Sequence, residues 1–342
     1  MMKTPFRAML AAVLVAVSLG WAMPIQAQPL ACRGQGGSLA LPYDSAIPAG
    51  YDHDRFGTQP HSLMFRYGAF TSSFATPEDI RNDSPYRGIP KWVSYEMRAL
   101  MGEDGRPILP QGAKRPTKWY ELQETSFLWT GTADGVTRRG IDASYRGFAA
   151  LWNRGHMAAR SHANRIAWQE GCNTHVFINA LPQFADMNQG DWLALENYAG
   201  ALANRHGRVW TMAGPVFEPD REVDMIGGPG AVPVAIPHAL FKILAIEING
   251  KVQARAFLFP QADEDHRGAY RKCAGTRQDK YDLGAYGTTI SAIEAATGLR
   301  FFQNLPESDR KTLDAQSGMA PWTVENRFFD HLCGGRDNDE ES

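Results

Sequence analysis

The sequence predicts a mixed α+β domain, on three observations. Residues 238 to 248 and 251 to 259 are two apolar-rich segments joined by Asn249-Gly250, a dipeptide that suits a two-residue hairpin turn. RVWTMAG at 208 to 214 reads as a buried strand. Residues 188 to 205 place Trp192, Leu195, Ala199 and Leu202 at intervals of three, four and three, which is one face of an amphipathic helix. The chain has 342 residues, 44% hydrophobic and 21% charged, so it can bury a sizeable core. Gly 33 and Pro 21 together make about 16% of the chain, loop-rich but short of a collagen-like or low-complexity composition. Lys+Arg 35 against Asp+Glu 37 leaves a net charge of -2, which excludes a uniformly basic nucleic-acid binder. Any polyanion must be held by a local patch.

The elements follow in chain order. Lys3 and Arg7 precede an apolar run at residues 8 to 22, shorter than the roughly 20 residues a spanning helix needs. Residues 1 to 27 therefore read as a signal peptide, cut after Ala22 or Ala27, and predict export to a periplasm or the medium without a membrane anchor. Its removal takes away two cations and leaves the mature chain at about -4. Residues 28 to 90 read as a loop-rich N-terminal extension wrapped on the core, and 91 to 310 as the main domain. KWVSYEMRAL at 91 to 100 suggests an early strand. Residues 101 to 146 are the most basic stretch, with Arg115, Lys118, Arg138, Arg139 and Arg146. Arg138 and Arg139 read as solvated charges, and Trp119 and Tyr120 as core. After the apolar FAALW at 148 to 152 come a polar NRGH and a strand-like HVFINA at 175 to 180.

The helix at 188 to 205 is expected to take Asn188 as its cap and to end at Gly207. Ser291 and Glu294 form a capping box that opens a short helix, closed by Gly298. Residues 311 to 342 read as a C-terminal extension with an acidic tail from Asp337 to Glu341. Cys32, Cys172, Cys273 and Cys333 predict two disulfides in an exported chain, with three pairings open. No two of them have the short spacing of a structural zinc site.

Chemistry concentrates between Asn153 and Glu218. NRGHMA sets His156, a base that is neutral near pH 7, beside Arg154, whose planar fork suits phosphate oxygens. On a straight helix, eight residues turn about 800°, which leaves Asn188 and Glu196 about 80° apart and about 12 Å along the axis. An amide oxygen and a carboxylate so placed are hard donors for a magnesium-like ion that keeps most of its waters. Base, hydrated cation and guanidinium together describe phosphodiester hydrolysis.

NRGHMA resembles the D-R-G-H-x-A signature of the DNA/RNA non-specific endonucleases, the ββα-metal group. FINALPQFADMNQGDWLALE resembles the segment that follows it in that family, with Asn179, Pro182, Gln183, Asn188, Gly190, Trp192, Leu195 and Glu196 in place. TMAGPVF at 211 to 217, and more loosely WVSY at 92 to 95, PHALFKI at 237 to 243 and AATGLRFFQNL at 295 to 305, extend the likeness over about residues 90 to 310. The sequence departs from the family pattern at Asn153, where aspartate is usual, and at Ala159, where proline is common.

The resemblance implies an α+β, ββα-metal endonuclease fold, a central antiparallel sheet flanked by helices. It implies a Mg-dependent enzyme that cuts DNA and RNA with little sequence preference and leaves 5′-phosphate ends, with Mn or another divalent ion able to substitute. His156 corresponds to the general base and Asn188 to the one direct metal ligand. Glu196 corresponds to the carboxylate that holds a metal-bound water and helps protonate the leaving oxygen, and Arg154 to the arginine at the scissile phosphate. Arg115 is a candidate for a second phosphate-binding arginine, and Asn179 and Asn153 orient the site. Two other readings fit the same residues: a nuclease-fold binding module with impaired catalysis, and a phosphodiesterase for small molecules. DNA and RNA are the expected partners, with no membrane; the sequence decides neither for a homodimer nor for an inhibitor protein.

Overall fold

The computed structural model describes residues 30 to 33, 39 to 130, 137 to 261 and 270 to 334. The signal peptide and the acidic tail expected from the sequence lie outside the described residues. In chain order the strands are β1 (Leu63–Arg66), β2 (Thr71–Phe74), β3 (Pro90–Arg98), β4 (Trp152–His156), β5 (Ala180–Phe184), β6 (Arg208–Val216), β7 (Met225–Ile226), β8 (Val234–Ala235), β9 (Ala239–Ile248), β10 (Lys251–Pro260) and β11 (Gly287–Thr288). The helices are α1 (Pro77–Arg81), α2 (Arg160–Asn164), α3 (Trp168–Asn173), α4 (Ala185–Asn188), α5 (Asp191–His206), α6 (Ile290–Thr297) and α7 (Glu307–Ser317).

Seven strands pair antiparallel in the order β1-β2-β3-β6-β9-β10-β11. Both faces of this sheet are covered, which is why its central strands are largely apolar on both faces rather than alternating strictly with polar residues. Leu240, Leu244 and Ile246 of β9 join one core with Trp192, Leu195, Ala199 and Leu202 of α5. Phe241, Ile243 and Ala245 point to the other core, closed by Ile290 and Ile293 of α6 and Leu313 of α7. The period of two in β9 thus feeds two cores at once. The predicted hairpin is present, from Lys251 paired with Ile248 to Pro260 paired with Ala239. Asn249 and Gly250 turn it with φ of 51° and 74°, as a mirror-image two-residue turn requires.

Four expectations are corrected. Residues 28 to 90 are not loops alone: β1 and β2 lie there and extend the main sheet. TSSF of β2 is short and hydroxyl-rich, yet fully buried, and Ser72 Oγ donates to the Ile178 carbonyl at 2.6 Å. HVFINA is not a strand; a 3₁₀ turn at Phe177–Asn179 leads into β5, which begins at Ala180. Asn188 does not cap α5. It is the last residue of the one-turn α4, and Gly190 stands at the start of α5. A Cβ on Gly190 would fall 1.9 Å from the Arg271 carbonyl oxygen, so the segment crossing here interrupts the helix. Finally, α6 starts one residue before the expected capping box. Thr289 accepts from the Ala292 amide, while Glu294 reaches forward to the Phe301 amide; Gly298 closes the helix in the left-handed conformation, as predicted.

Both disulfides form, as Cys32–Cys172 and Cys273–Cys333. The first ties the N-terminal segment to α3. The second ties the C-terminal segment to the strand of chain that crosses Gly190, where the Cys273 amide donates to the Gln189 carbonyl at 2.6 Å.

Candidate active site

A separate two-stranded ribbon, β4 with β5, stands beside α5 and carries the chemistry. Its register pairs Asn153 with Gln183, Arg154 with Pro182, Gly155 with Leu181 and His156 with Ala180. Gly155 is a matter of space: a Cβ there would fall 2.1 Å from Gln183 Oε1, a side chain buried completely. Chain continues from β5 through α4 into α5, so strand, strand and helix converge on one cavity of about 280 Å³. Arg115, Asn153, Arg154, His156, Asn188 and Glu196 all line it.

His156 ends β4, and the turn after it is held by Asn179. The Asn179 Oδ1 accepts from the Ala158 amide at 2.8 Å, and its Nδ2 donates to the carbonyls of Ala158 and Thr174, each at 3.0 Å. Asn179 is fully buried and does not reach the cavity. The His156 ring packs against Trp119, with centroids 4.5 Å apart, and edge-on against His175 at 4.9 Å. Among the described residues, its Nε2 has no hydrogen-bond partner. Burial, followed by the nearby His175, Arg115 and Arg160, holds the imidazole well below its ordinary pKa. It is therefore a neutral base over a wide range of pH.

Asn153 acts through one atom. Its Oδ1 accepts from Asn188 Nδ2 at 3.0 Å and from Gln189 Nε2 at 3.1 Å, while its Nδ2 donates to the Ala149 carbonyl. With Nδ2 so engaged, the Asn188 Oδ1 is the outward oxygen, and among the described residues it receives no hydrogen bond. The competition between capping and metal binding that a helix-start asparagine would face does not arise.

Glu196 lies in the second turn of the buried α5. Its Oε1 accepts from Lys242 Nζ at 3.0 Å, and Lys242 is wholly buried on β9, 4.0 Å above the Trp192 ring. Burial pulls the Lys242 ammonium pKa down, while Glu196 pushes it back up. The backbone of Glu196 is fixed as well: Tyr95 donates its hydroxyl to His162 Nδ1, and His162 Nε2 donates to the Glu196 carbonyl, each at 3.0 Å. His162 is thus a structural link between β3 and α5.

Arg154 meets Asp142 at 3.1 Å and lies over the Tyr145 ring at 5.2 Å. Arg160, which donates to the Ala113 carbonyl, brings a third arginine to the cavity wall. Sequence reasoning missed Arg160, His175, Asp142 and Lys242 and placed Trp119 in the core. Only Lys242 left a signal, as a lysine inside the apolar strand HALFKILAIEI. Trp119 is 8% exposed and does belong to the core, but it also forms the cavity wall beside His156.

The donors suit one kind of cation. Asn188 and Glu196 stand on either side of the break at Gly190 and both line the cavity, a sparse hard-oxygen set that a hydrated magnesium-like ion would fit. Among the described residues no three His, Cys, Asp or Glu side chains converge as they do in a closed zinc site.

Comparison with known proteins agrees with this geometry. The model of the DNA/RNA non-specific endonuclease family matches residues 81 to 308. The chain is 24% identical over 276 residues to the mitochondrial nuclease EXOG of Danio rerio, covering 76% of this chain and 71% of that protein. It is 30% identical over 172 residues to the nuclease of Serratia marcescens, covering 49% of this chain and 58% of that protein. Among solved structures, a chain in the crystal structure of the EndoG/EndoGI complex superposes with a TM-score of 0.53 at 18% identity, over 75% of this chain and 92% of the other. At that identity the likeness is one of fold.

Proposed function

Because the chain belongs to the DNA/RNA non-specific endonuclease family and has its ββα-metal fold, we propose that it hydrolyses phosphodiester bonds in both DNA and RNA, with His156 as general base and one divalent ion, leaving 5′-phosphate ends. The observation that carries this reading is the convergence of Arg115, Arg154, His156, Asn188 and Glu196 on one cavity. Neutral His156 takes the proton from the attacking water. Arg154 and Arg115 hold the non-bridging phosphate oxygens, with Asp142 and Tyr145 keeping the Arg154 fork in place. Asn188 Oδ1, and Glu196 through water, would hold the ion, which supplies positive charge where negative charge builds on the departing 3′ oxygen. Lys242 donates to Glu196 Oε1 and so holds the carboxylate at the cavity.

The ion is magnesium in this account, with manganese or another divalent ion able to replace it. The enzyme works outside the cytoplasm, in a periplasm or the medium; the segment 1 to 27 and the two disulfides support this compartment. No helix of the described residues is long and apolar enough to cross a membrane. Incubating supercoiled plasmid and structured RNA with the purified mature protein tests the reading. Magnesium should permit cleavage of both and EDTA should stop it; cleavage that persists in excess EDTA, or of neither substrate with any divalent ion, contradicts it.

A further inference from the structure

Trp119 separates two cavities. On one side is the site around His156; on the other is a cavity of about 220 Å³ whose charged lining is Lys118, Glu121, Arg139, Asp142 and Arg146. Its carboxylates are already engaged. Glu121 Oε1 accepts from the Asp142 amide at 2.9 Å. Asp142 Oδ1 accepts from the Trp119 amide at 3.2 Å and from Arg154 Nη2 at 3.1 Å. The cations are differently placed. Lys118 and Arg146 are exposed, and among the described residues neither has a carboxylate partner. Arg139 uses Nη2 on the Pro229 carbonyl, which holds its guanidinium at the rim.

Three cations against two spent carboxylates, in a chain whose net charge is -2, mark a local anion site. Asp142 links it mechanically to the first cavity, since the same carboxylate positions Arg154. We propose that this second cavity binds a neighbouring phosphate of the polynucleotide whose scissile phosphate sits at His156, with Lys118 and Arg146 as its principal contacts and Arg139 at its rim. The inference rests on the reading of the first cavity as a phosphodiester hydrolase. Trp119 is too buried to offer a face for base stacking, so the subsite holds backbone and not base, and adds affinity without sequence preference.

The test measures binding with cleavage switched off. In a His156→Ala background, the affinity for a labelled DNA duplex is followed by fluorescence anisotropy from about 50 to 200 mM salt. The pair Lys118→Ser and Arg146→Ser should lower the slope of log affinity against log salt by about two and weaken duplexes of different sequence alike. A control pair, Lys251→Ser at the start of β10 and Lys311→Ser on α7, removes the same charge elsewhere on the surface and should leave the slope as it was. An unchanged slope in the first pair overturns the inference, and so does an equal fall in both pairs, which would report net charge only. Failure of the catalytic reading shows separately, as the absence of cleavage by the unsubstituted protein.

Discussion

Asn153 offers the site an oxygen and no charge. That oxygen sets the direction of Asn188, because it accepts from Asn188 Nδ2. Asn153→Asp keeps the acceptor, loses the bond to the Ala149 carbonyl at a cost of about 1 kcal/mol, and adds a negative charge beside the cation donors. The magnesium concentration for half-maximal cleavage should fall by about tenfold, the equivalent of roughly 1.4 kcal/mol at a few ångströms in a partly solvated site. A magnesium titration that shows no change, or a rise, contradicts the assignment of Asn188 as the ligand.

His156 makes a second residue-scale prediction, and its sign is fixed by the role. The neutral imidazole is the active form, and burial with His175, Arg115 and Arg160 nearby lowers its pKa. Activity is lost only when the ring gains a proton, so the acid limb of kcat/KM should lie below the ordinary histidine value of 6.5. Arg160→Met removes one of those positive charges and should move the limb up toward that value. A limb already at or above 6.5 in the unsubstituted protein would show that another group is titrating.

Among the elements, the break between α4 and α5 matters most. The periodicity of Trp192, Leu195, Ala199 and Leu202 was enough to find the helix and its buried face, because those residues do pack on the sheet. It could not find the start, since the interruption at Gly190 is imposed by the Arg271 carbonyl, 81 positions away in the sequence. The same distinction runs through the fold. The β9-β10 hairpin was legible because its turn chemistry is local, whereas β2 was not, because burial of its hydroxyls is made tolerable by partners such as the distant Ile178 carbonyl. Gly190→Ala should destabilise the protein by about 1–3 kcal/mol in urea unfolding, since the opposing atom is backbone and cannot swing away. Cleavage should fall further than stability, because Asn188 stands two residues before the break. Normal stability together with normal activity would mean that the crossing segment is easily displaced.

For the whole molecule, a large antiparallel sheet covered on both faces provides the platform, and the ribbon of β4 and β5 holds the reacting groups against α5. The clustered motif NRGHMA to Glu196 was legible because it is short in sequence as well as in space. Lys242 comes from β9, 46 positions beyond Glu196, and Asp142 from a 3₁₀ turn 12 positions before Arg154, and only the folded chain brings each to its partner. Each is a charge partner whose meaning depends on what faces it, so no spacing in the chain announces it.

His156 is the base on which the proposed reaction in that one cavity depends. The decisive measurement is the rate of plasmid and RNA cleavage by His156→Ala beside the unsubstituted protein, in saturating magnesium, with the product ends analysed. The unsubstituted protein should leave 5′-phosphate and 3′-hydroxyl ends, and the variant should lose at least about 100-fold in rate, the lower range for removal of a general base. A variant that cuts at the original rate, or products that carry 3′-phosphate, would contradict it.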